Sequence, residues 1–466
     1  MVACFTEDSV AGEFLFKYNM INWAIIVLAA GKGTRMMSST PKVLQKLCGK
    51  EMLNLVLANV CSVIDGQYIV VVPPKYDLIK KAVTKKVKYA VQTEPKGTGD
   101  AVRTALKYCN AENIFLIHGD VPLIEGSTID SMVTMHIKSN AAVTLLTSEL
   151  NDPKRLGRII RDLNGAVKGI VEVGSDNDKE LGLTEINSGV YCFKKNLLET
   201  YLNKVEQSKS GEVYLTDIIE LLSNENELVE TINHKIIDGV EFGIDNKFDL
   251  EIGNTVLRDK ILTQLMLEGV TIEDRKATYI DYDAKIGKDS IIKPNTHILG
   301  NSQIGSSSTI GPNSIVAFSK IGDNCNVVSS TLNDSIVCNN VNIGPFSNVR
   351  NNSYLDDDVH LGTSAEVNRS RLGKGTKSSH FSYIGDALVG DKVNIGAGAI
   401  TCNYDGRNKN KTVIGNGAFI GSDTMLIAPI KIGNKSSTGA GSVVIHDVDE
   451  GSCVVGVPAR PISKTT

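Results

Sequence analysis

An apolar residue recurs every six positions through the second half of this chain, and this period constrains the fold more than any other feature. The interval holds in successive runs, at Ile286, Ile292, Ile298, Ile304, Ile310 and Val316, at Ile321 and Val327, at Val337, Ile343, Val349, Leu355, Leu361 and Val367, at Leu372 and Ile384, at Val389 and Ile395, and at Ile414, Ile420, Leu426, Ile432 and Val444. An α-helix needs a period of about 3.6 residues and a flat strand a period of two. A hexapeptide period is typical of a parallel β-helix, in which each side of a prism takes one hexad.

The composition agrees with a narrow prism. The chain has 42 glycines, only 5% aromatic residues and a single tryptophan. The interior of such a prism accepts one aliphatic side chain per side, and we expect the surplus glycines at its turns, where the backbone needs unusual conformations.

The first half follows another pattern, with short apolar runs separated by amphipathic segments. The runs cover residues 24–30, 68–72, 113–117 and 142–146, and residues 53–63 and 99–108 have helical spacing. Continuous apolar runs suit strands buried on both faces of a parallel sheet. We therefore predict a doubly wound α/β domain, whose ligands bind at the carboxyl ends of the strands.

Apolar residues at helical spacing over residues 247–267 predict a helix between the two halves. We divide the chain into a tail (1–19), an α/β domain (20–246), a helical linker (247–268) and a β-helix domain (269–466).

Charge and hydropathy exclude several classes of protein. The 49 basic and 53 acidic residues give a net charge of -4, which disfavours nucleic-acid binding. The first apolar run is far shorter than the roughly 20 residues that span a bilayer, and residues 1–19 lack the features of a secretory signal. The nine cysteines are scattered without metal-ligand spacing. We expect a cytoplasmic protein with no membrane insertion, no nucleic-acid partner and no zinc site.

A glycine-rich segment, Leu-Ala-Ala-Gly-Lys-Gly-Thr-Arg-Met at residues 28–36, directly follows the first predicted strand. Gly31 and Gly33 allow backbone N–H groups to face a phosphate, and a helix beginning there would add its positive end. Arg35 and Lys42 can neutralise phosphate charge. The spacing fits neither a dinucleotide fingerprint nor a P-loop, and a tight turn without ligand is the alternative.

Together with residues 92–100 (QTEPKGTGD), 119–123 (GDVPL), 211–217 (GEVYLTD) and the hexapeptide half, this segment resembles one enzyme family from Met20 onward. That family is the bifunctional N-acetylglucosamine-1-phosphate uridyltransferase and glucosamine-1-phosphate acetyltransferase. The resemblance implies a Rossmann-like nucleotidyltransferase domain followed by a left-handed parallel β-helix. It also implies a homotrimer, Mg²⁺, the co-substrates UTP and acetyl-CoA, and the two sugar phosphates as substrates.

The resemblance assigns residues to the nucleotidyltransferase site. Arg35 and Lys42 are catalytic, and Asp120 is a magnesium ligand. The family's second ligand lies in a G-V-N-N-R segment that reads G-I-D-N-K here, so Asp245 replaces an asparagine and adds a negative charge that a hard cation favours. The residues implied to bind UTP or the nucleotide sugar are Leu28, Ala29, Gly31, Lys42, Gln92, Gly97, Thr98, Gly157, Glu172, Asn187 and Asp245.

Residues 401–409 (TCNYDGRNK) interrupt the hexapeptide rhythm, and insertions on solenoids often carry function. Acetyl transfer to an amine needs a general base, and histidine suits this role. Spacing does not choose among the four histidines of this half, but the resemblance assigns His380. It also implies sugar-phosphate contacts at Arg350, Asn368, Tyr383 and Asn394, and acetyl-CoA contacts at Ala397, Asn403, Tyr404, Ser422 and Ala440.

The chain departs from the family at two acetyltransferase positions. Asn368 stands where the family has a phosphate-binding lysine, and because neighbouring residues on a strand face opposite sides, we do not expect Arg369 to replace it. Gly456 stands where the family has an arginine, so Arg460 or Lys464 is expected to contact the coenzyme phosphates instead.

Three functions remain to be compared: the bifunctional enzyme, a single-activity nucleotidyltransferase with a non-catalytic oligomerising β-helix, and a non-catalytic sugar-nucleotide sensor. Retention of Arg35, Lys42 and Asp120 argues against the sensor. His380 and the Asn-Tyr insertion argue against the single activity.

Overall fold

The structure is a computed structural model that describes residues 22–462 except 152, 154–155, 173–181, 209–210 and 236–242. The predicted tail over residues 1–19 and the proposed coenzyme contact Lys464 lie outside the described residues. The chain divides into two compact units, Met1–Thr255 and Val256–Thr466. The division falls within a helix over Lys247–Leu267, and each unit is described by itself.

The first unit contains a large β-sheet with helices on both faces and, apart from it, a two-stranded sheet formed by Lys46–Leu47 and Lys50–Glu51. Its strands are β1 (Trp23–Leu28), β2 (Lys46–Leu47), β3 (Lys50–Glu51), β4 (Gln67–Val72), β5 (Lys88–Val91), β6 (Asn113–His118), β7 (Val143–Glu149), β8 (Arg158–Arg161), β9 (Val167–Val171), β10 (Glu185–Lys194) and β11 (Val229–Asn233). The helices are α1 (Met52–Cys61), α2 (Asp77–Ala82), α3 (Thr98–Leu106), α4 (Gly126–Ser139), α5 (Lys195–Leu202), α6 (Asp217–Asn224) and α7 (Lys247–Leu267), which continues into the second unit. The four apolar runs identified in the sequence are β1, β4, β6 and β7, so their assignment as strands is confirmed.

Alternation along β1 shows why the sheet is covered on both faces. Ala24, Ile26 and Leu28 belong to a core with α3, α5 and α6 residues. Trp23, Ile25 and Val27 belong to a second core with α1, α2 and α4 residues. Because successive strand residues point to opposite faces, one apolar run serves both layers. The doubly wound α/β fold is confirmed.

The sheet is mixed, with strand order β11-β7-β10-β6-β1-β4-β5. Strands β6, β1, β4 and β5 are parallel, whereas β10 lies between β6 and β7 and is antiparallel to both. Along the chain, β8 and β9 lie between β7 and β10, and they pair antiparallel with each other. Antiparallel neighbours need no long crossover, so this local meander returns β10 beside β7 in the opposite direction.

The second unit consists largely of very short strands. They are β12 (Thr271–Ile272), β13 (Thr278–Ile280), β14 (Lys285–Ile286), β15 (Ile291–Ile292), β16 (Thr296–Leu299), β17 (Gln303–Ile304), β18 (Thr309–Ile310), β19 (Ile315–Ala317), β20 (Lys320–Ile321), β21 (Asn326–Val327), β22 (Thr331–Val337), β23 (Asn342–Ile343), β24 (Asn348–Leu355), β25 (His360–Leu361), β26 (Ala365–Asn368), β27 (Arg371–Leu372), β28 (Lys377–Ser378), β29 (Ser382–Gly385), β30 (Ala387–Val389), β31 (Asn394–Ile395), β32 (Ile400–Cys402), β33 (Thr412–Ile414), β34 (Phe419–Ile420), β35 (Met425–Ile427), β36 (Ile430–Ile432), β37 (Ser437–Thr438), β38 (Val443–Val444), β39 (Cys453–Gly456) and β40 (Ala459–Pro461).

These strands stack in parallel coils, which confirms the β-helix. One interior row runs through Ile280, Ile298, Val316, Leu332, Val349, Val367 and Ile384, each paired with the next. Every aliphatic position of the six-residue repeat lies in a single buried core. Leu332 also lies in that core, although counting by hexads passed over it. The coil from Val316 to Leu332 has fewer residues than the neighbouring coils, which explains why the six-residue pattern shifts after Val316.

Glycines in the β-helix are required by close packing between coils as well as by turns. A Cβ added at Gly322 would lie 2.8 Å from the backbone carbon of Cys338 on the next coil, and one added at Gly287 would lie 2.6 Å from the amide nitrogen of Ser306. Several turn positions with positive φ are instead occupied by asparagine, aspartate or serine. The expectation that glycine serves mainly the turns was therefore incomplete.

Across the described residues, no helix has both the length and the apolar character needed to cross a membrane. The eight cysteines in this part of the chain are all free thiols.

Candidate active sites

The glycine-rich loop follows β1 and turns beside Lys42. Gly33 has φ 58°, and a Cβ there would lie 2.5 Å from Cβ of Lys42. Glycine therefore meets both a conformational and a packing requirement at this position. The segment that follows is a three-residue 3-10 helix, Thr34–Met36, rather than an α-helix. The expected contribution of a helix dipole was wrong, which leaves the loop and the nearby cations as the features that favour the predicted phosphate site.

A cluster of two cations and two carboxylates lies at the carboxyl end of the sheet. Nζ of Lys42 is 2.5 Å from Oδ2 of Asp120 and 2.5 Å from Oδ1 of Asp245. Nη1 of Arg35 is 2.8 Å from Oδ2 of Asp245. The backbone amide of Ile244 donates to the carbonyl of Asp120 at 3.0 Å, which holds the two acidic segments together.

This arrangement keeps Lys42 and Asp120 ionised. Burial alone would lower the pKa of Lys42, but Asp120 and Asp245 outweigh burial and raise it. Burial alone would raise the pKa of Asp120, but Lys42 and His118 outweigh burial and lower it. Both groups are therefore charged at neutral pH.

The two carboxylates can hold a divalent metal. Their oxygens converge on one point, which the Lys42 ammonium occupies at 2.5 Å from each. Carboxylate oxygens are the ligands that Mg²⁺ prefers, and the space between them already accepts a cation. The donor set fits magnesium.

Two adjoining cavities surround this cluster, of about 600 Å³ and 280 Å³. The larger one is lined by the predicted residues Leu28, Ala29, Gly31, Arg35, Lys42, Gln92, Gly97, Thr98, Asp120 and Asp245. The smaller one is lined by the predicted residues Gly157, Glu172 and Asn187, together with Thr98, Asp120 and Asp245. The structure thus places every residue predicted for the first activity in the lining of these two cavities.

Hydrogen bonds orient the polar residues of both cavities. Nε2 of Gln92 donates to Oδ2 of Asp100 at 2.9 Å, and Nδ2 of Asn187 donates to the Tyr191 hydroxyl at 2.7 Å. The Thr216 hydroxyl donates to Oε1 of Glu172 at 3.1 Å. Burial raises the pKa of Glu172.

Sequence reasoning missed His118 and Tyr214, which line both cavities. His118 ends β6, directly before the recognised Gly-Asp pair, and Tyr214 lies inside the recognised 211–217 segment. The signal that could have identified His118 is its position at the carboxyl end of a parallel strand.

In the second unit, predicted sugar-phosphate residues lie on neighbouring coils. Arg350 pairs with Asn368 across β24 and β26, and Nδ2 of Asn368 donates to the Tyr383 hydroxyl at 3.3 Å. Nη2 of Arg350 is 2.6 Å from Oε1 of Glu366. The fourth predicted residue, Asn394, lies on β31 in the other long sheet. The described contacts do not join it to the first three.

His380 is exposed in the connection between β28 and β29, three residues before Tyr383. The insertion forms a small hairpin in which Tyr404 and Lys409 make an antiparallel bridge, and the Asn410 amide donates to the Asn403 carbonyl at 2.7 Å. Asn403 is buried and Tyr404 is exposed. The insertion is thus an ordered projection from the prism.

The other predicted coenzyme residues lie along one corner of successive coils. The Asp423 amide donates to the Ala397 carbonyl at 2.7 Å, and the Gly441 amide donates to the Ser422 carbonyl at 2.8 Å. These bonds place Ala397, Ser422 and Ala440 in adjacent layers. At the end of the prism, Gly456 has φ 98° and Arg460 is exposed.

The expectation that Arg369 points away from Asn368 was wrong. Strand β26 ends at Asn368, and Arg369 has φ 49°, so strand alternation does not apply. Nη1 of Arg369 donates to Oδ1 of Asn368 at 3.1 Å. A positive charge therefore lies directly beside the position where the family's lysine is missing.

Family models match both halves. The nucleotidyl transferase family model matches residues 24–237. The model of the GMPPB C-terminal domain matches residues 275–372, and the six-repeat bacterial transferase hexapeptide model matches residues 411–446. The fold and these matches define a class, a nucleotidyl transferase domain and a hexapeptide-repeat transferase domain in one chain.

Curated relatives narrow this class to a family. The chain is 38% identical to "Bifunctional protein GlmU" of Geobacillus sp. over 96% of its own length and 97% of the relative's. It is 40% identical to the protein of that name from Carboxydothermus hydrogenoformans, over 94% of this chain and 98% of the relative. It is 41% identical to that of Thermosipho africanus, over 94% of this chain and 96% of the relative. The chain belongs to the GlmU family of bifunctional proteins, which confirms the resemblance seen in the sequence.

Proposed function

We propose that this protein makes UDP-N-acetylglucosamine in two steps. The β-helix transfers an acetyl group from acetyl-CoA to glucosamine-1-phosphate, and the α/β unit then transfers a uridylyl group from UTP to N-acetylglucosamine-1-phosphate. The observation that carries this function is its similarity, over more than nine tenths of its length, to bifunctional relatives. The charged cluster in the first unit and the ordered insertion in the second support one activity each.

In uridylyl transfer, a phosphate oxygen of the sugar phosphate attacks the α-phosphorus of UTP, and the bond to the departing pyrophosphate breaks. Such transfer depends on alignment and charge neutralisation. Lys42 and Arg35 neutralise the phosphates, and Gln92, Gly97 and Thr98 receive the base. The sugar occupies the smaller cavity, where Gly157, Glu172 and Asn187 bind its hydroxyls and acetamide.

Asp120 and Asp245 would hold Mg²⁺, and the ion would supply positive charge that neutralises the phosphates. Nζ of Lys42 lies between these carboxylates and, in the proposal, binds phosphate oxygens.

In acetyl transfer, the amine nitrogen of glucosamine-1-phosphate attacks the thioester carbonyl carbon, and the carbon–sulfur bond breaks. His380 accepts the proton that the amine loses and returns it to the departing thiolate. Arg350, Asn368, Tyr383 and Asn394 bind the sugar phosphate. Ala397, Asn403, Tyr404, Ser422 and Ala440 bind the coenzyme.

The protein acts as a cytoplasmic homotrimer in this proposal. Large apolar side chains are exposed on the β-helix, among them Phe346, Phe381 and Phe419. Burial of such side chains between copies of the chain would favour association. A single species of one chain's mass in light scattering would contradict the trimer.

Substitution of His380 tests the assignment of two activities to two units. His380→Ala is expected to abolish thiol release from acetyl-CoA and to leave pyrophosphate formation from N-acetylglucosamine-1-phosphate and UTP unchanged. Loss of both activities would show that the two sites are not separate. A wild-type protein that forms pyrophosphate without ever releasing thiol would favour the single-activity alternative.

A further inference from the structure

One carboxylate joins the two predicted subsites of the acetyltransferase half. Asp386 accepts hydrogen bonds from Nε and Nη2 of Arg369 at 2.7 and 2.9 Å, and from Nδ2 of Asn403. Arg369 lies 17 residues before Asp386 and Asn403 lies 17 residues after it, which places the three on successive coils.

Each end of this chain of bonds reaches a residue with a predicted substrate role. On one side, Nη1 of Arg369 donates to Oδ1 of Asn368, whose Nδ2 reaches the Tyr383 hydroxyl. On the other side, Asn403 is buried and belongs to the insertion that is predicted to bind acetyl-CoA. The contacts therefore run without a gap from the sugar-phosphate residues to a coenzyme residue.

The bridge differs from the repeated polar contacts between many other coils. At Asp323, Asn339 and Asp357, for example, a side chain accepts a hydrogen bond from a backbone amide of the coil before it. The carboxylate of Asp386 instead accepts from side chains, and it holds a guanidinium by both of its oxygens. Such paired, charge-assisted bonds fix orientation. The Arg369 guanidinium also holds the pKa of Asp386 below its usual range.

We propose that Arg369 and Asp386 are positioning residues that couple the sugar-phosphate subsite to the acetyl-CoA insertion. Asp386 fixes Asn403, and with it the insertion, at a set distance from Asn368 and Tyr383. Arg369 orients the Asn368 amide and supplies positive charge beside it. This inference rests on the proposed acetyl transfer and adds the two residues that make its subsites depend on each other.

The test compares Arg369→Gln, Asp386→Asn and the double variant with the wild type. Thiol release gives the KM of each substrate, titration calorimetry gives the Kd of acetyl-CoA, and pyrophosphate formation checks that the first unit is intact. Arg369→Gln is expected to raise the KM of glucosamine-1-phosphate and the Kd of acetyl-CoA, each about tenfold, although Arg369 lies on the sugar-phosphate side. The double variant should be no worse than the worse single variant, because both remove the same bridge.

Asp356→Asn is the matched control, since it also breaks a carboxylate–arginine pair between coils, at 3.8 Å from Arg371. It should leave all three constants unchanged. Arg369→Lys keeps the charge and should recover part of both affinities.

An unchanged Kd of acetyl-CoA in Arg369→Gln would overturn the coupling. So would an equal change of this Kd in Asp356→Asn, or a lower melting temperature of Arg369→Gln without a change in its affinity for either substrate. A wild-type protein that neither binds acetyl-CoA nor releases thiol would instead overturn the proposed acetyl transfer, and this inference with it.

Discussion

Replacing Lys42 by methionine removes the ammonium that lies between Asp120 and Asp245. The Lys42 side chain is only 11% exposed, and methionine keeps most of its length and apolar stem. Loss of one oriented group that stabilises developing charge typically costs about 10²–10³-fold in rate. We expect a fall of this size in pyrophosphate formation from N-acetylglucosamine-1-phosphate and UTP.

The same change should have a modest effect on stability. Asp245 keeps Arg35 as a partner at 2.8 Å, whereas Asp120 loses the cation 2.5 Å away. Both carboxylates are partly exposed, so the expected cost is about 1–2 kcal/mol, below the 3–5 kcal/mol typical of a fully buried pair. For a unit of this size that corresponds to a melting temperature lower by roughly 2–8 °C.

Pyrophosphate and thiol release are measured on the same preparation, beside the control Lys46→Met. Lys46 is exposed and pairs with Glu51 at 3.4 Å, outside the charged cluster. The control should keep both rates, and Lys42→Met should keep thiol release. A fall of less than tenfold in pyrophosphate formation, or an equal fall in the control, would refute the role of Lys42.

Three further substitutions test other parts of the account. Asp245→Ala removes one of the two oxygen ligands and should raise the Mg²⁺ concentration needed for half-maximal pyrophosphate formation by roughly tenfold, with a parallel loss of Mn²⁺ affinity in direct titration. An unchanged metal requirement would exclude Asp245 as a ligand. Glu172→Gln should melt at a higher temperature than the wild type at pH 8, because burial raises the pKa of this carboxyl and its ionisation at high pH opposes folding. The difference in melting temperature should shrink as pH falls through the folded and then the unfolded pKa, and a difference that widened in acid would contradict the raised pKa. Gly322→Ala places a Cβ 2.8 Å from the backbone of the next coil and should destabilise the β-helix by about 1–3 kcal/mol, measured by thermal unfolding. An unchanged melting temperature would show that the coils can separate to accommodate the methyl group.

The sequence predicted the repeating parts of the fold best, because periodicity reports directly which side chains face inward. Each hexad residue from Ile286 to Val444 lies in the core, and all four apolar runs of the first half are strands. The position of β10 was not predictable in this way. Its direction and neighbours depend on the meander formed by β8 and β9, and strand pairing leaves little trace in one sequence.

The sites show the same limit. The phosphate loop and its two cations could be recognised from local spacing, but the convergence of Lys42, Asp120 and Asp245 joins segments far apart in the chain. Glu172 and Asn187 came only from the resemblance. Arg369 was misjudged because its positive φ, which ends strand alternation, cannot be read from neighbouring residue types.

The central claim is that one chain performs both steps, and transfer of a labelled acetyl group tests it most directly. The wild-type protein is incubated with glucosamine-1-phosphate, acetyl-CoA labelled in the acetyl group, UTP and Mg²⁺. The account predicts that free thiol and pyrophosphate both form and that the label appears in a uridine-containing sugar. Label that stays in acetyl-CoA, while added N-acetylglucosamine-1-phosphate still yields pyrophosphate, would contradict it.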